Sequence, residues 1–160
     1  WAVYHSSQGA GKYFDGIGTG AISTGNTRFG GVEPTSTHFT LGTSGDVNYD
    51  TYTYIALLFS SVSGISAVGS YTGTGSTQTI TTGFQPRFVV IKRTSGSGSW
   101  GVHDTVRGWG SGDDPYIRWN NNNAEVDIDI GAPTSTGFQL TTTHSSYNSS
   151  GITYIYYTHA

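Results

Sequence analysis

Five acidic side chains in the second half of the chain have the spacing that comes closest to acid–base chemistry. They are Asp113, Asp114, Glu125, Asp127 and Asp129. A glycosidase needs two carboxyl groups on opposite sides of a cleft, whereas Asp127 and Asp129 alternate with aliphatic residues on one predicted strand. That alternation places both carboxylates on one solvent-facing side, about 7 Å apart. Because the sequence also has no G-x-S-x-G elbow and no P-loop lysine, we predict no catalytic residues and no enzymatic activity.

The residue pattern gives little support for a metal site. Asp46–Asp50 (DVNYD) opens like a calcium loop, but Thr51 replaces glycine at the sixth position and Leu57 replaces glutamate at the twelfth. These differences exclude an EF-hand. The chain has no cysteine, and its histidines do not have the spacing of zinc ligands. The histidines are His5, His38, His103, His144 and His159. We predict neither a metal site nor a cofactor.

Aromatic and amide side chains in two polar loops are better candidates for binding. Trp109 and Trp119 flank a loop that contains Asp113 and Asp114. Aromatic rings of this kind stack on sugars, while polar neighbours bind hydroxyl groups. The predicted ligand-binding residues are Trp109, Trp119, Asp113, Asp114, Tyr147 and Asn148. For the two tryptophans, the alternative is that they anchor their loop to the core.

The composition of the chain limits the class of protein. Of its 160 residues, 11% are charged and 14% are aromatic. Low charge with many aromatic residues argues against disorder and suits glycine-punctuated β structure. The net charge of −3, with only seven lysines and arginines, excludes the basic surface that nucleic-acid binding requires. No apolar run approaches the ~20 residues of a bilayer-spanning helix, so we expect no membrane insertion.

The sequence contains an internal duplication. The segment EPTSTHFTL at 33–41 returns as APTSTGFQL at 132–140. Trp1-Ala2-Val3 matches Trp100-Gly101-Val102 at the same separation, and Thr53-Tyr54-Ile55 matches Thr153-Tyr154-Ile155 at a separation longer by one residue. Matched blocks in the same order indicate two related units. The single-residue difference falls in a loop rich in glycine, serine and aspartate, where a length change is tolerated.

The duplication assigns structural roles to several residues. Trp1 and Trp100 hold equivalent positions, and we predict that each anchors the core of its unit. Phe39 and Phe138 hold equivalent positions on alternating strands, which also indicates core packing. Asp104 and Arg107 have the spacing of an ion pair that holds a turn. The predicted structural residues are Trp1, Trp100, Asp104, Arg107, Phe39 and Phe138.

The matched blocks alternate at period two, and no window has the periodicity of a helix of three or four turns. We therefore predict an all-β, antiparallel β-sandwich or jelly-roll fold. The predicted organisation is a first β unit at 1–60, a connecting segment at 61–83 and a second β unit at 84–160.

The first unit is predicted to lack its opening strand. RFVVIKR at 87–93 reads as a central strand buried on both faces, and it precedes Trp100 in the second unit. No equivalent precedes Trp1. Either another copy supplies such a strand by edge pairing or the sequence is a piece of a longer one, and we favour a piece.

Residues 68–108 read VGSYTGTGSTQTITTGFQPRFVVIKRTSGSGSWGVHDTVRG, and the chain closes on TYIYYTHA. In order and wording, these residues resemble a β domain of uncharacterised function that is repeated in tail-fibre and other virion proteins of tailed, often marine, bacteriophages. The first unit departs from the pattern, because HSSQG at 5–9 stands where the second has DTVRG at 104–108. Roles of Asp104 and Arg107 therefore cannot be carried to the first unit. The resemblance implies a structural or adhesive virion module without established catalytic residues.

From these observations we expect a bacteriophage virion surface module, located on the virion or outside the cell. Its expected place is a tail fibre or receptor-binding appendage that attaches to host cell-surface glycan. Expected partners are other virion subunits, in a homo-oligomer, and host cell-surface polysaccharide. One alternative is a purely structural capsid decoration or fibre-shaft protein. A second is a glycan depolymerase.

Overall fold

A computed structural model of the chain describes residues 1–110 and 112–160. Within these residues there are eleven strands, one single-turn α-helix (α1, Gly45–Asn48) and one 3-10 turn (Ser6–Gln8). The strands are β1 Lys12–Tyr13, β2 Ser23–Thr24, β3 Ser66–Thr72, β4 Gln78–Thr81, β5 Phe88–Arg93, β6 Gly101–Asp104, β7 Pro115–Arg118, β8 Val126–Asp127, β9 Pro133–Thr134, β10 Gly137–Leu140 and β11 Thr153–His159. The fold is all-β, as the sequence predicts.

The strands form three sheets, and every pairing between them is antiparallel. The largest sheet has six strands in the order β3-β11-β5-β6-β7-β8. A three-stranded sheet has the order β4-β10-β9, and β1 pairs with β2 alone. The central position of β5 agrees with the prediction for RFVVIKR, because β5 has a strand on each edge.

Strand β5 also explains how the two faces of the six-stranded sheet are covered. Val89 and Ile91 point to one face, where they join Phe138 and Leu140 of the three-stranded sheet in one core. Val90 points to the opposite face and joins a second cluster, which includes Phe14 of the first unit. We call the first surface the inner face and the second the outer face. The inner face forms an antiparallel β-sandwich with the three-stranded sheet.

The segment 61–83 differs from its prediction as a connection. It contains β3, which pairs with β11 over seven residues, and β4, which pairs with β10 over four. Both strands therefore belong to the sheets of the second unit. The misassignment arose because the segment is rich in glycine, serine and threonine, which are frequent in loops.

The first turn shared by the two units shows that the duplication extends to three dimensions. In the first unit, the carbonyl of Ser44 accepts hydrogen bonds from the backbone N–H groups of Val47 and Asn48. In the second unit, the carbonyl of His144 accepts hydrogen bonds from the backbone N–H groups of Tyr147 and Asn148. The amide of Asn48 donates to the carbonyl of Gly42 at 3.1 Å. Its counterpart, Asn148, makes the same bond to Thr142 at 2.8 Å.

A tyrosine closes this turn in each unit. The hydroxyl of Tyr54 donates to the carbonyl of Gly45 at 2.6 Å and accepts from the N–H of Tyr49 at 2.8 Å. The hydroxyl of Tyr154 makes the two equivalent bonds, to the carbonyl of Ser145 at 2.7 Å and from the N–H of Ser149 at 3.0 Å.

The hairpins are also duplicated. In β1–β2, Lys12 lies opposite Thr24; in β7–β8, Pro115 lies opposite Asp127. The two hairpins therefore have the same length. An adjacent bridge, Val3 with Phe14, corresponds to Val102 with Ile117. Within the described residues, the two units share one plan of hairpins and turns.

The two turn-closing tyrosines provide a matched pair for a stability test. Tyr154 is fully buried, whereas Tyr54 is 40% exposed. We expect Tyr154→Phe to lower the free energy of unfolding by about 1–3 kcal/mol, because a carbonyl and an N–H lose their partner in a largely closed site. Tyr54→Phe should cost less than about 1 kcal/mol, since water can replace the hydroxyl. Urea denaturation measures both, and equal losses would contradict this account.

Candidate functional site

The outer face of the six-stranded sheet opens into a large apolar groove. The groove has a volume of about 1540 Å³ and lies between this face and the first unit. Val90 of β5, Ile155 of β11 and Val68 of β3 line it from the sheet, and residues 53–60 line it from the first unit. Its volume exceeds the roughly 300–1,000 Å³ of small-molecule pockets. The groove is therefore of a size for a polypeptide.

A row of aromatic rings lies at one end of the outer face. We define the aromatic row as Phe88, Trp119, Tyr157 and His159. The rings of Phe88 and His159 stack with centroids 4.9 Å apart, and Trp119 lies 6.3 Å from Phe88. Tyr157 lies 6.4 Å from Phe88, and Phe59 of the first unit lies 4.9 Å from Tyr157. The rings form a continuous apolar surface.

Trp119 is the most accessible member of the row, with 47% of its surface exposed. It follows the last residue of β7 and is itself followed by four asparagines at 120–123. The carbonyl oxygen of the Asn120 side chain accepts from the N–H of Trp100 at 2.9 Å, which holds the start of this loop against the sheet. Asn121, Asn122 and Asn123 are exposed. The side-chain oxygen of Asn121 accepts from the backbone N–H of Asn123 at 3.1 Å. Aromatic rings beside exposed amides are a surface that can bind sugars.

Two other predicted ligand contacts lie inside the protein, which corrects their prediction as exposed binding residues. Trp109 is buried, and its indole N–H donates to the carbonyl of Gly131 at 2.9 Å. Asp114 is buried, and its carboxylate accepts from the N–H groups of Gly110 and Ile130, each at 2.9 Å. Burial raises the pKa of Asp114. These residues hold the loop to the core, which is the alternative given for Trp109. Asp113 is exposed.

Tyr147 and Asn148 are also buried, contrary to their prediction as ligand contacts. The amide of Asn148 donates to the carbonyl of Ser76 at 2.8 Å, and its oxygen accepts from the N–H of Thr74 at 2.9 Å. Asn148 thus ties the β3–β4 turn to the turn before β11. The match between Asn48 and Asn148 was the sequence signal for a structural role.

The predicted structural residues fall into different environments. Trp100 is buried, and its indole N–H donates to the carbonyl of Gly18 at 3.1 Å. Phe138 is fully buried, whereas Phe39 is half-buried. Trp1 is 67% exposed, which corrects its prediction as a core anchor. Trp1 lines the groove.

Asp104 and Arg107 contact each other across their turn. The Arg107 guanidinium lies 3.0 Å from the Asp104 carboxylate, which also accepts from the backbone N–H of Arg107 at 2.9 Å. Arg107 reaches Glu125 as well, at 2.7 Å. Asp127 and Asp129 are exposed. The pair and its acidic neighbour hold the β6–β7 turn on the surface.

Sequence reasoning missed the functional potential of Phe88, Tyr157 and His159, which belong to the aromatic row. The alternation within β5 and β11 could have placed these three rings on one side. However, these rings lie close to Trp119 only because β5 lies between β11 and β6 in the sheet. That strand order cannot be read from the sequence.

Two buried basic side chains lie behind the aromatic row and the groove. His103 is fully buried, its Nε2 lies 3.1 Å from the Tyr147 hydroxyl, and its Nδ1 has no hydrogen-bond partner in the described part of the chain. Burial lowers the pKa of His103 to about 3. The Lys92 ammonium donates to the carbonyls of Thr19 at 3.1 Å and Gly98 at 2.6 Å. Burial lowers the pKa of Lys92 to about 8.

Because burial lowers the pKa of His103, we expect the protein to lose stability in mild acid. The imidazole titrates at about 6.5 when unfolded and about 3 when folded, so the unfolded chain takes up a proton first as the pH falls. The free energy of unfolding should therefore fall between about pH 6.5 and pH 3, by up to about 1.4 kcal/mol per pH unit. Its full contribution is present above pH 6.5.

Denaturant titrations at several pH values test this prediction. His103→Gln should flatten the pH dependence, whereas His38→Gln, at an exposed histidine, should leave it unchanged. Parallel pH dependence in the wild type and His103→Gln would contradict the assignment. Burial also lowers the pKa of His5, so some slope should persist in the variant.

Residues 1–110 and 112–160, which the structure describes, contain no group of three or more histidine, aspartate or glutamate side chains placed to bind a metal ion. No helix among them has the length and hydropathy needed to cross a bilayer.

Comparison with known proteins gives one match. Neither the curated proteins nor the solved structures yield a significant match to the chain. A family model described as a domain of unknown function (DUF7483) matches residues 1–160. Because the match spans the sequence from its first residue to its last, the chain belongs to the DUF7483 family of domains of unknown function.

Proposed function

We propose that the chain is a bacteriophage virion surface module that attaches to host cell-surface glycan, as part of a tail fibre or receptor-binding appendage. The observation that supports it most directly is the aromatic row, in which Trp119 is 47% exposed beside exposed asparagines. The resemblance of residues 68–108 to repeated virion β domains supplies the context. The proposed location is the virion or the extracellular space.

The chemistry of the aromatic row suits a sugar ligand. A pyranose ring presents C–H groups on its faces and hydroxyl groups at its edge, so that an aromatic ring covers the face while amides bind the edge. The side chains of Asn121–Asn123 supply those amides beside Trp119. A single shallow surface of this kind binds weakly, and attachment would depend on several copies acting together. We therefore propose a homo-oligomer with other virion subunits as partners.

A purely structural role is the second candidate, and a different observation favours it. Ile55, Leu57 and Leu58 of the first unit are exposed apolar side chains in one short segment. Contiguous exposed apolar surface marks protein–protein contacts. In this role, as capsid decoration or a fibre-shaft segment, the exposed surfaces would bind other subunits.

A non-enzymatic role is part of the proposal, although a glycan depolymerase was an alternative. Two carboxylates, Glu33 and Asp46, line the groove. Glu33 accepts a hydrogen bond from the Tyr4 hydroxyl, and Asp46 pairs with Arg28. Each carboxylate is thus held by a partner within the first unit, an arrangement that supports turns more directly than acid–base chemistry.

Replacing Trp119 tests attachment to glycan. We expect Trp119→Ala to weaken binding to host envelope polysaccharide by about tenfold or more, because aromatic anchors dominate such interfaces. The measurement is surface plasmon resonance on immobilised polysaccharide, preceded by a glycan array to choose the ligand. Tyr52→Ala is the matched control, since Tyr52 is an exposed aromatic residue outside the row.

Three outcomes distinguish the candidates. Loss of binding in Trp119→Ala with normal binding in Tyr52→Ala supports attachment through the aromatic row. Absence of wild-type binding to every host envelope fraction would sink the attachment proposal and leave the structural role. Release of shortened saccharides during the assay would instead favour the depolymerase.

A further inference from the structure

The second unit contains a segment that has no counterpart in the first. Residues 66–93 supply β3, β4 and β5, and we call them the donor segment. They pair with β11 on both of its edges and with β10. The donor segment contributes five buried side chains to the sandwich core. These are Ala67, Ile80, Phe84, Val89 and Ile91.

The first unit has the surface on which such a segment would pack. By the separation of one hundred residues, Thr53–Phe59 corresponds to β11, and we call it the acceptor strand after that counterpart. In the described structure it is not itself paired as a strand. Tyr54 and Ala56 of the acceptor strand correspond to Tyr154 and Tyr156, which are core residues of the second unit.

Two more residues of the first unit complete the correspondence. Phe39 corresponds to Phe138, and Val47 corresponds to Tyr147; Phe138 and Tyr147 are both core residues of the second unit. All four first-unit counterparts, Phe39, Val47, Tyr54 and Ala56, line the groove. The groove thus occupies the place that the donor segment fills in the second unit.

The acceptor strand has unused hydrogen-bonding edges. No strand pairing and no backbone–backbone hydrogen bond involves residues 53–59 within the described part of the chain. Ile55, Leu57, Leu58 and Phe59 are between 60% and 77% exposed. A segment with free backbone groups and apolar side chains is a template for pairing with another strand.

The lining of the groove contains no cation that would repel a strand of the β5 type. Glu33 and Asp46 line the groove, and no lysine or arginine does so among residues 1–110 and 112–160. Asp46 pairs with Arg28, and Glu33 accepts a hydrogen bond from Tyr4. Strand β5 is apolar at its centre, Arg87 precedes it, and Lys92 and Arg93 end it. A strand of this type would therefore complement the groove chiefly through its apolar side chains.

We infer that the groove of the first unit binds a strand segment of the donor type, supplied by a neighbouring unit of the same kind, which completes a second β-sandwich. The pairing of β11 with β5 sets the expected register: Tyr54 lies opposite the counterpart of Arg93, and Phe59 lies opposite the counterpart of Phe88. The inference concerns assembly and does not rest on glycan binding, because it is argued from the correspondence between the acceptor strand and β11; Trp119 also lines the groove.

A synthetic peptide with the sequence of residues 84–95, FQPRFVVIKRTS, serves as the probe for the full chain. Hydrogen–deuterium exchange should show protection of residues 53–59 rising by about tenfold or more when the peptide is added. A control peptide carries lysine at the positions of Val89 and Ile91, which face the core in the second unit. This peptide should give no protection.

Matched variants of the chain locate the binding. Ala56→Asp places a charge where the donor strand would pack and should abolish peptide protection. The residue lies on the uncovered strand, so folding should be preserved, and circular dichroism checks this. Val106→Asp changes an apolar residue that is 78% exposed on a distant turn, and this variant should bind the peptide as the wild type does.

Two results would overturn the inference. One is peptide-induced exchange changes in β11 with none at residues 53–59, which would mean that the peptide replaces β5 in the second unit. The other is a chain that sedimentation shows to be monomeric and in which the peptide leaves exchange at residues 53–59 unchanged. That result would mean that the groove does not bind a strand of the donor type. Either result leaves the test of Trp119 unaffected, because that test measures polysaccharide binding.

Discussion

A β-strand buried in a sheet needs hydrogen-bonding neighbours on both edges, and this requirement governs the whole structure. Strand β11 satisfies it, because β3 and β5 pair with its two edges. Its inward side chains can then form a closed core with the three-stranded sheet. The acceptor strand has the same turn before it and the same closing tyrosine, yet none of residues 1–110 and 112–160 pairs with either of its edges. The same turn and the same tyrosine hydrogen bonds thus precede a closed β-sandwich in one half and an open apolar surface in the other.

Much of the architecture could be predicted because it follows from sequence repetition and from hydrophobic patterns over a few residues. The repeated PTST phrase and the tyrosines one hundred residues apart mark two units, and their turns share the same hydrogen bonds. The continuous apolar run in RFVVIKR indicated a central strand buried on both faces, and β5 has a strand on each edge. Such features depend on residues close in sequence or on direct repetition, so a single sequence is enough to reveal them.

Burial of polar-looking loops could not be predicted in the same way. Trp109, Asp114 and Asn148 stand in segments rich in glycine, serine and asparagine, which read as exposed turns. Each is instead satisfied by backbone groups from distant parts of the chain, such as the carbonyl of Gly131 for Trp109. Whether a polar side chain finds such partners depends on strand order. The role of 61–83 was missed for the same reason, since β3 pairs with a strand more than eighty residues away.

The Lys92 ammonium has a consequence for how the two halves behave under load. Lys92 is fully buried, so water cannot replace the carbonyls that its ammonium group contacts. The ammonium group donates to the carbonyl of Thr19 in one half and to that of Gly98 in the other. The indole N–H of Trp100, the residue before β6, donates to the carbonyl of Gly18, which is next to Thr19 in the sequence. Pulling the halves apart would strip a cation of its ligands in an apolar setting, which is costly. The two units should therefore unfold in one cooperative transition and resist being pulled apart by an external force.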